Sequence, residues 1–223
     1  MKNAFTAIAL LLVTLVSQAE DIPETPQHPV SIGDSWTFKR VSKGQITVQS
    51  RTIFKIAEQG ADDQYIIKSL SGEVSGNGPT VWRQAGRVDT DTCMIDFFGG
   101  STLGITHSCS TAFVPGMDWN TEAINKETRT TQRYQVIGPD EVTVGAGTFQ
   151  ALKIESHWEV AKAVNTGKAS PKYGPPLRYH FVYWYAPETK TMVKAEREFR
   201  NPAGAVETRS TDELEAFRVQ NPR

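Results

Sequence analysis

The chain has 223 residues, of which 22% are charged, and a formal net charge of −1 at pH 7. So even a balance leaves no basic footprint for nucleic acid and no polybasic segment for an anionic membrane. The length suits one large β-domain or two small ones. No apolar stretch is long enough to cross a bilayer comfortably as a helix.

The chain opens with Lys2 and an uncharged apolar run from Ala7 to Val16. Ser17-Gln18-Ala19 then places small residues at the −3 and −1 positions of a cleavage site. This pattern predicts a signal peptide over 1–19 and a mature chain that begins at Glu20, in the periplasm or secreted. No cysteine directly follows the cleavage site, so a lipid anchor is not expected there. Cys93 and Cys109 are the two cysteines. In an exported chain such a pair is expected to form a disulfide, and the spacing is far from a C-x-x-C redox motif.

Residues 20–31 contain Pro23, Pro26 and Pro29 and read as an extended N-terminal arm. A β-rich domain is expected over 32–223. It opens at Ile32-Gly-Asp-Ser-Trp36, and a strand follows over Thr37–Val41. The next strand is expected over Gln45–Ala57, with Val48, Ser50, Thr52, Phe54 and Ile56 on one buried face. Gly60-Ala-Asp-Asp63 predicts a turn before a strand at Tyr65–Leu70. Ser71 to Pro79 reads as a loop, and Ala85-Gly86 as the turn of a hairpin. The glycine-rich run Gly99 to Gly104 lacks the spacing and the lysine of a phosphate loop.

Val114-Pro-Gly116-Met-Asp-Trp119 repeats the Gly-x-x-Trp of Gly33 to Trp36. The two openings suggest an internal duplication, with halves 32–112 and 113–223. A long polar stretch, Thr121 to Arg133, leads to Tyr134–Ile137, a Gly138-Pro139-Asp140 turn and a strand at Glu141–Val144. Phe149 to Ala161 alternates clearly: Leu152, Ile154, Ser156, Trp158 and Val160 share one face, and Lys153, Glu155, His157 and Glu159 the other. Tyr179 to Tyr185 is apolar or aromatic on both faces, so that strand is expected to sit centrally or line a cavity. Strands over Met192–Phe199 and Val206–Phe217 complete the chain. No helical periodicity stands out after the signal segment.

Val142-Thr-Val-Gly-Ala-Gly-Thr-Phe149, Leu152-Lys-Ile-Glu155, Trp184-Tyr-Ala-Pro187 and Val193-Lys194 together resemble a group of exported bacterial β-rich proteins of unknown function. Their usual pattern is V-x-V-P-A-G-T-F-x-A-x-K-I-E followed by W-Y-A-P-x-x-G-x-V-K, often with an upstream Gly-x-x-Trp like Gly116 to Trp119. Here Gly145 stands where proline is usual, and Glu188-Thr-Lys190 replaces a glycine-containing turn. The resemblance covers the last half of the chain. Some members of the group resemble the curved half-barrels of periplasmic lipoprotein carriers, which implies a fold rather than an activity.

The chemical signals are sparse. There is no G-x-S-x-G and no H-E-x-x-H, so a hydrolase has no local support. His157 lies between Glu155 and Glu159 at strand spacing, a pattern that could ligate a metal. With Lys153 continuing the row it reads instead as a solvated charged face, and no metal or cofactor is expected. The row Tyr179, Phe181, Tyr183 and Tyr185 is the candidate ligand-binding surface, set against plain core packing. The sequence therefore predicts an all-β protein of long antiparallel strands, as a curved sheet, half-barrel or sandwich. Its expected role is non-catalytic binding of an apolar ligand, a lipid or an envelope protein. The alternative is a structural or assembly factor of the envelope.

Overall fold

A computed structural model describes residues 28–44, 47–73, 82–95, 97, 106–110, 112–164 and 171–220. The expected signal peptide and most of the expected arm lie outside the described residues, as does the glycine-rich run. The strands are β1 (Ser35–Lys43), β2 (Thr47–Gln59), β3 (Gln64–Glu73), β4 (Arg83–Asp89), β5 (Thr92–Ile95) and β6 (Thr106–Ser108). They continue as β7 (Asp118–Ile124), β8 (Thr128–Val144), β9 (Gly147–Lys162), β10 (Leu177–Ala186), β11 (Thr191–Arg200) and β12 (Val206–Arg218).

Ten strands follow one path, β4-β3-β2-β1-β12-β11-β10-β9-β8-β7, and neighbours on it are antiparallel. The sheet is curved and does not close, so β4 and β7 are its edges. Two meanders, β1–β4 and β7–β12, meet where β1 pairs with β12. The fold is all-β, as the alternating sequence predicts. The short β5 lies off the path, beside β11 and β6.

Alternation along each strand turns one face of the sheet inward. Trp36, Phe38, Ile56, Ile67 and Val88 come from the first meander, and Val136, Ile154, Tyr183, Ala195 and Leu214 from the second; all are buried. Burying a large apolar side chain contributes roughly 1.5–3 kcal/mol. Phe97 lies against this face, with its ring 5.1 Å from Trp36, 5.8 Å from Phe38 and 4.3 Å from Phe54. The Cys93–Cys109 disulfide is formed and ties β5 to the residue after β6.

The two Gly-x-x-Trp openings have the same backbone wiring. Gly33 N–H donates to Ile56 O, Ile56 N–H to Asp34 O, and Asp34 N–H to Ser31 O. Gly116 N–H donates to Val136 O, Val136 N–H to Met117 O, and Met117 N–H to Val114 O. Both glycines have positive φ, +96° and +84°. Trp36 then pairs with Phe54 and Trp119 with Tyr134.

Three local readings are corrected. Ala85-Gly86 is not a hairpin turn: both lie within β4, opposite a register shift at Ile67/Lys68, and the chain reverses instead at Thr90-Asp91. Gly138-Pro139-Asp140 is not a turn either. It lies inside the unbroken β8, where Gly138 at φ +146° absorbs a bulge between Val136 and Gly138. The long polar stretch Thr121 to Arg133 is strand on both sides of a turn at Asn125, whose Oδ1 accepts from Glu127 N–H and Thr128 N–H. On β2 the expected buried face holds only near its end: Ile56 is buried and Phe54 half-buried, whereas Val48 is 41% exposed.

Candidate functional site

The inner face of β8–β11 is laid out in rows by the strand register. One row is Val136, Ile154, Tyr183 and Ala195, all buried. The next is Tyr134, Ser156, Phe181 and Arg197. The third is Gln132, Trp158, Tyr179 and Phe199, each half-buried. Burial therefore falls along the strands, away from the core.

This layout divides the aromatic row expected as a ligand surface. Tyr185, Tyr183 and Phe181 belong to the core, whereas Tyr179 reaches the half-open part of the face. The Tyr185 phenol is pushed well above its usual range, first by burial and then by the charge of Glu188. Tyr179 has ring neighbours on its own strand and on β11. Its ring lies 4.9 Å from Phe199 and 6.1 Å from Phe181, and Trp158 lies 4.8 Å from Phe181. Trp158 is oriented by its Nε1–H, which donates to Ser156 Oγ at 2.6 Å. Beside them Trp119 stacks on Tyr134 at 4.8 Å. Sequence reasoning placed Trp158 on this face but did not join it to Tyr179 and Phe199, because cross-strand register is not written in any one strand.

Polar groups border the rings. The carboxylate of Asp212 is 2% exposed and is held by Arg40 at 2.7 Å and by Arg197. Gln132 Oε1 accepts from Thr121 Oγ1 at 2.8 Å.

The outer face of β9–β11 carries charge. Trp184 is buried there under the ammonium groups of Lys194 and Lys153, and its Nε1–H donates to Asp140 Oδ2 at 2.9 Å. Asp140, read in the sequence as part of a turn, is thus a partner of this indole. The row Glu155, His157, Glu159 is also rearranged. Glu159 turns to Arg178 at 3.0 Å, and its place near Glu155 and His157 is taken by His180. His180 sits directly opposite His157 in the β9–β10 register.

No protein-family model matches the chain, and no curated protein matches it. Two solved structures are similar. One is from Bacteroides fragilis, a protein considered exported and described as having a YmcC-like fold, with a TM-score of 0.45 and 12% identity over 85% of this chain and 97% of that one. The other is from Parabacteroides distasonis, a protein considered a lipoprotein, with a TM-score of 0.47 and 14% identity over 87% of this chain and 99% of that one. Likeness at this level carries no argument for a ligand or an activity.

Among the described residues no helix is long and apolar enough to cross a membrane. The described residues do contain one short 3-10 turn, Pro187–Thr189.

Proposed function

We propose that the protein is an exported, non-catalytic binding protein whose ligand is an apolar or acyl-bearing small molecule. The ligand lies across Trp158, Tyr179 and Phe199, with Trp119 at one side. The observation that supports this reading is the row of three half-buried aromatic rings, on adjacent strands and in register, that continues the core face past the packed core. Aromatic side chains offer large, rigid contact area at low entropy cost, and they make apolar pockets when gathered on one curved face. Export rests on the segment over 1–19.

The test is native mass spectrometry of protein purified from the exporting cell, followed by denaturation and organic extraction. A co-purifying lipid or other apolar molecule, lost in a Trp158→Ala/Tyr179→Ala variant, is the expected result. A clean apo mass, together with no change in Trp fluorescence on titration with a fatty acid below its micelle concentration, would overturn the reading. It would turn attention to an envelope protein as the partner.

A further inference from the structure

On the outer face of β9–β11 most carboxylates face permanent cations. Glu159 is 3.0 Å from Arg178, Glu196 is 2.7 Å from Lys194, and Glu198 is 2.8 Å from Arg209 and also meets Arg200. Glu155 is different. Its Oε1 is 2.6 Å from His180 Nε2 and 3.4 Å from His157 Nε2. Imidazole is a cation only when protonated; neutral, it is a nitrogen donor to metals. The two rings stack at 4.6 Å with 12° between their planes. One ligand atom from each of the three groups lies within 4.8 Å of the others.

The geometry points to a divalent transition-metal site of the zinc class, formed by Glu155, His157 and His180. Zinc takes nitrogen and carboxylate oxygen at about 2.0–2.2 Å in a tetrahedron, which puts ligand atoms roughly 3.4 Å apart. The spacings of the three ligand atoms, from 2.6 Å to at most 4.8 Å, bracket that value, with the His157 ring exposed and the His180 ring half-buried. Three protein ligands leave a fourth position for water or another molecule, as in open zinc sites.

The scaffold is suited to it. Glu155 and His157 are two residues apart on β9 and so share a face, and His180 is the direct partner of His157 across an unbroken β9–β10 register. Beneath them Ser156, Trp158 and Phe181 fix both strands from the inner side. Rigid strands hold ligands more exactly than loops do. The neighbouring strands present Arg133 and Gln135 on β8, opposite His157 and Glu155, and Glu198 and Glu196 on β11, opposite His180 and Val182. Of these, Glu198 and Glu196 are already ion-paired. The sequence reading of a solvated charged row missed the site because its third ligand lies on another strand.

The experiment is calorimetric titration of zinc chloride into tag-free, chelator-stripped, disulfide-intact protein, with the histidine ring NMR signals followed in parallel. The expected result is one ion per chain and shifts in the ring signals of two histidines. His157→Ala, His180→Ala and Glu155→Gln should each weaken binding about tenfold or more, while Glu159→Gln leaves it unchanged. Near-UV circular dichroism confirms that each variant is folded. No uptake, or uptake equal in wild type and in His157→Ala/His180→Ala, overturns the site and leaves adventitious zinc only. The site is on the face opposite the aromatic row and does not depend on the apolar-ligand reading.

Discussion

The Lys190 ammonium lies 3.0 Å from the Asp34 carboxylate, and the two side chains are 2% and 0% exposed. Each polar group of the pair has further partners. Lys190 Nζ also donates to Pro29 O and Gln220 O, and Asp34 accepts from Ser31 N–H and Gln220 N–H. Three remote stretches of chain are thereby joined: the start of the described chain, the 3-10 turn after β10, and the residues after β12. Lys190 itself is left-handed, at φ +58°, a conformation that glycine adopts without strain.

Lys190→Ala should therefore be among the most destabilising single changes. It leaves a buried carboxylate without its cation, at about 3–5 kcal/mol. Lys190→Gly loses the same pair but relieves the left-handed backbone, so it should be milder by about 1 kcal/mol. Urea denaturation of both variants checks this. If either sits within about 1 kcal/mol of wild type, the pair is not what holds the turn; equal large losses would show instead that the left-handed backbone carries no strain.

How much of this could be read from the sequence depends on where each signal lives. β9 and β10 were legible because Leu152, Ile154 and Ser156 alternate with Lys153, Glu155 and His157, and because Tyr179 to Tyr185 is apolar on both faces. The disulfide was legible from its compartment and count. Gly138-Pro139 misled, since the residues of a turn are also those of a bulge, and only pairing to Lys153 and Leu152 tells them apart. The Trp158–Tyr179–Phe199 row, the place of His180 beside Glu155 and His157, and the Lys190–Asp34 pair were not legible. Each is made of residues from separate strands, so it exists only once the register is fixed.

Reduction of Cys93–Cys109, or the Cys93→Ala/Cys109→Ala variant, should destabilise the fold. The cysteines are 16 residues apart, and closing such a loop stabilises by roughly 3 kcal/mol in the chain-entropy model. In sheet register β5 meets β11 only at Thr191↔Ile95 and then β6; the rest of its hold is the burial of its four residues and hydrogen bonds such as Val30 N–H to Thr92 O and Thr191 Oγ1 to Ile95 O. Hydrogen exchange with and without reductant should show protection lost first at Met94 and Ile95. Uniform loss across β9 and β10 as well would mean that β5 unfolds only with the whole sheet.

The division of the aromatic row predicts two classes of variant. Phe181→Ala should cost about 3–5 kcal/mol, as a buried ring whose removal leaves a cavity. Tyr179→Ala, half-buried one row further out, should cost about 1 kcal/mol and instead reduce uptake of an apolar probe. Thermal unfolding and probe fluorescence on the same samples separate the effects. Equal stability losses would place Tyr179 in the core and remove it from the binding surface.

Acid should weaken the fold in part through two carboxylates. Hydrogen bonds from Arg51 hold Glu215 below the usual carboxylate range against the opposing effect of burial, and Arg209 does the same for Glu198, with help from Arg200. A carboxyl whose folded pKa is lowered binds protons more readily when unfolded. Its contribution is full above the unfolded value of about 4.3 and is lost as pH falls through the folded one. Both groups are near the surface and screened by solvent, so the contributions are small. Arg51→Gln should flatten the stability–pH curve below about pH 4.3 and leave it unchanged near pH 7 in slope. An unchanged acid limb would show that the Arg51–Glu215 pair at 2.5 Å does not persist in solution.

The matching turns at Gly33 and Gly116 allow a direct comparison of the two meanders. Alanine at either position must hold a left-handed backbone, at about 1–2 kcal/mol. A Cβ at Gly116 meets open space, while one at Gly33 meets Gln220 Nε2 at 2.6 Å. That contact is the end of a flexible side chain, whose backbone is anchored separately through Gln220 N–H to Asp34, so it can swing aside. Gly33→Ala and Gly116→Ala should thus lose similar stability, within about 0.5 kcal/mol of each other. Chemical denaturation of the two variants tests this. Equal losses fit two turns that do the same mechanical work at the start of each meander, the expectation of a duplicated unit. A much larger loss at Gly33 would show that the Lys190–Asp34–Gln220 junction, which has no counterpart at Gly116 among the contacts described, has made the first turn dependent on the chain's end.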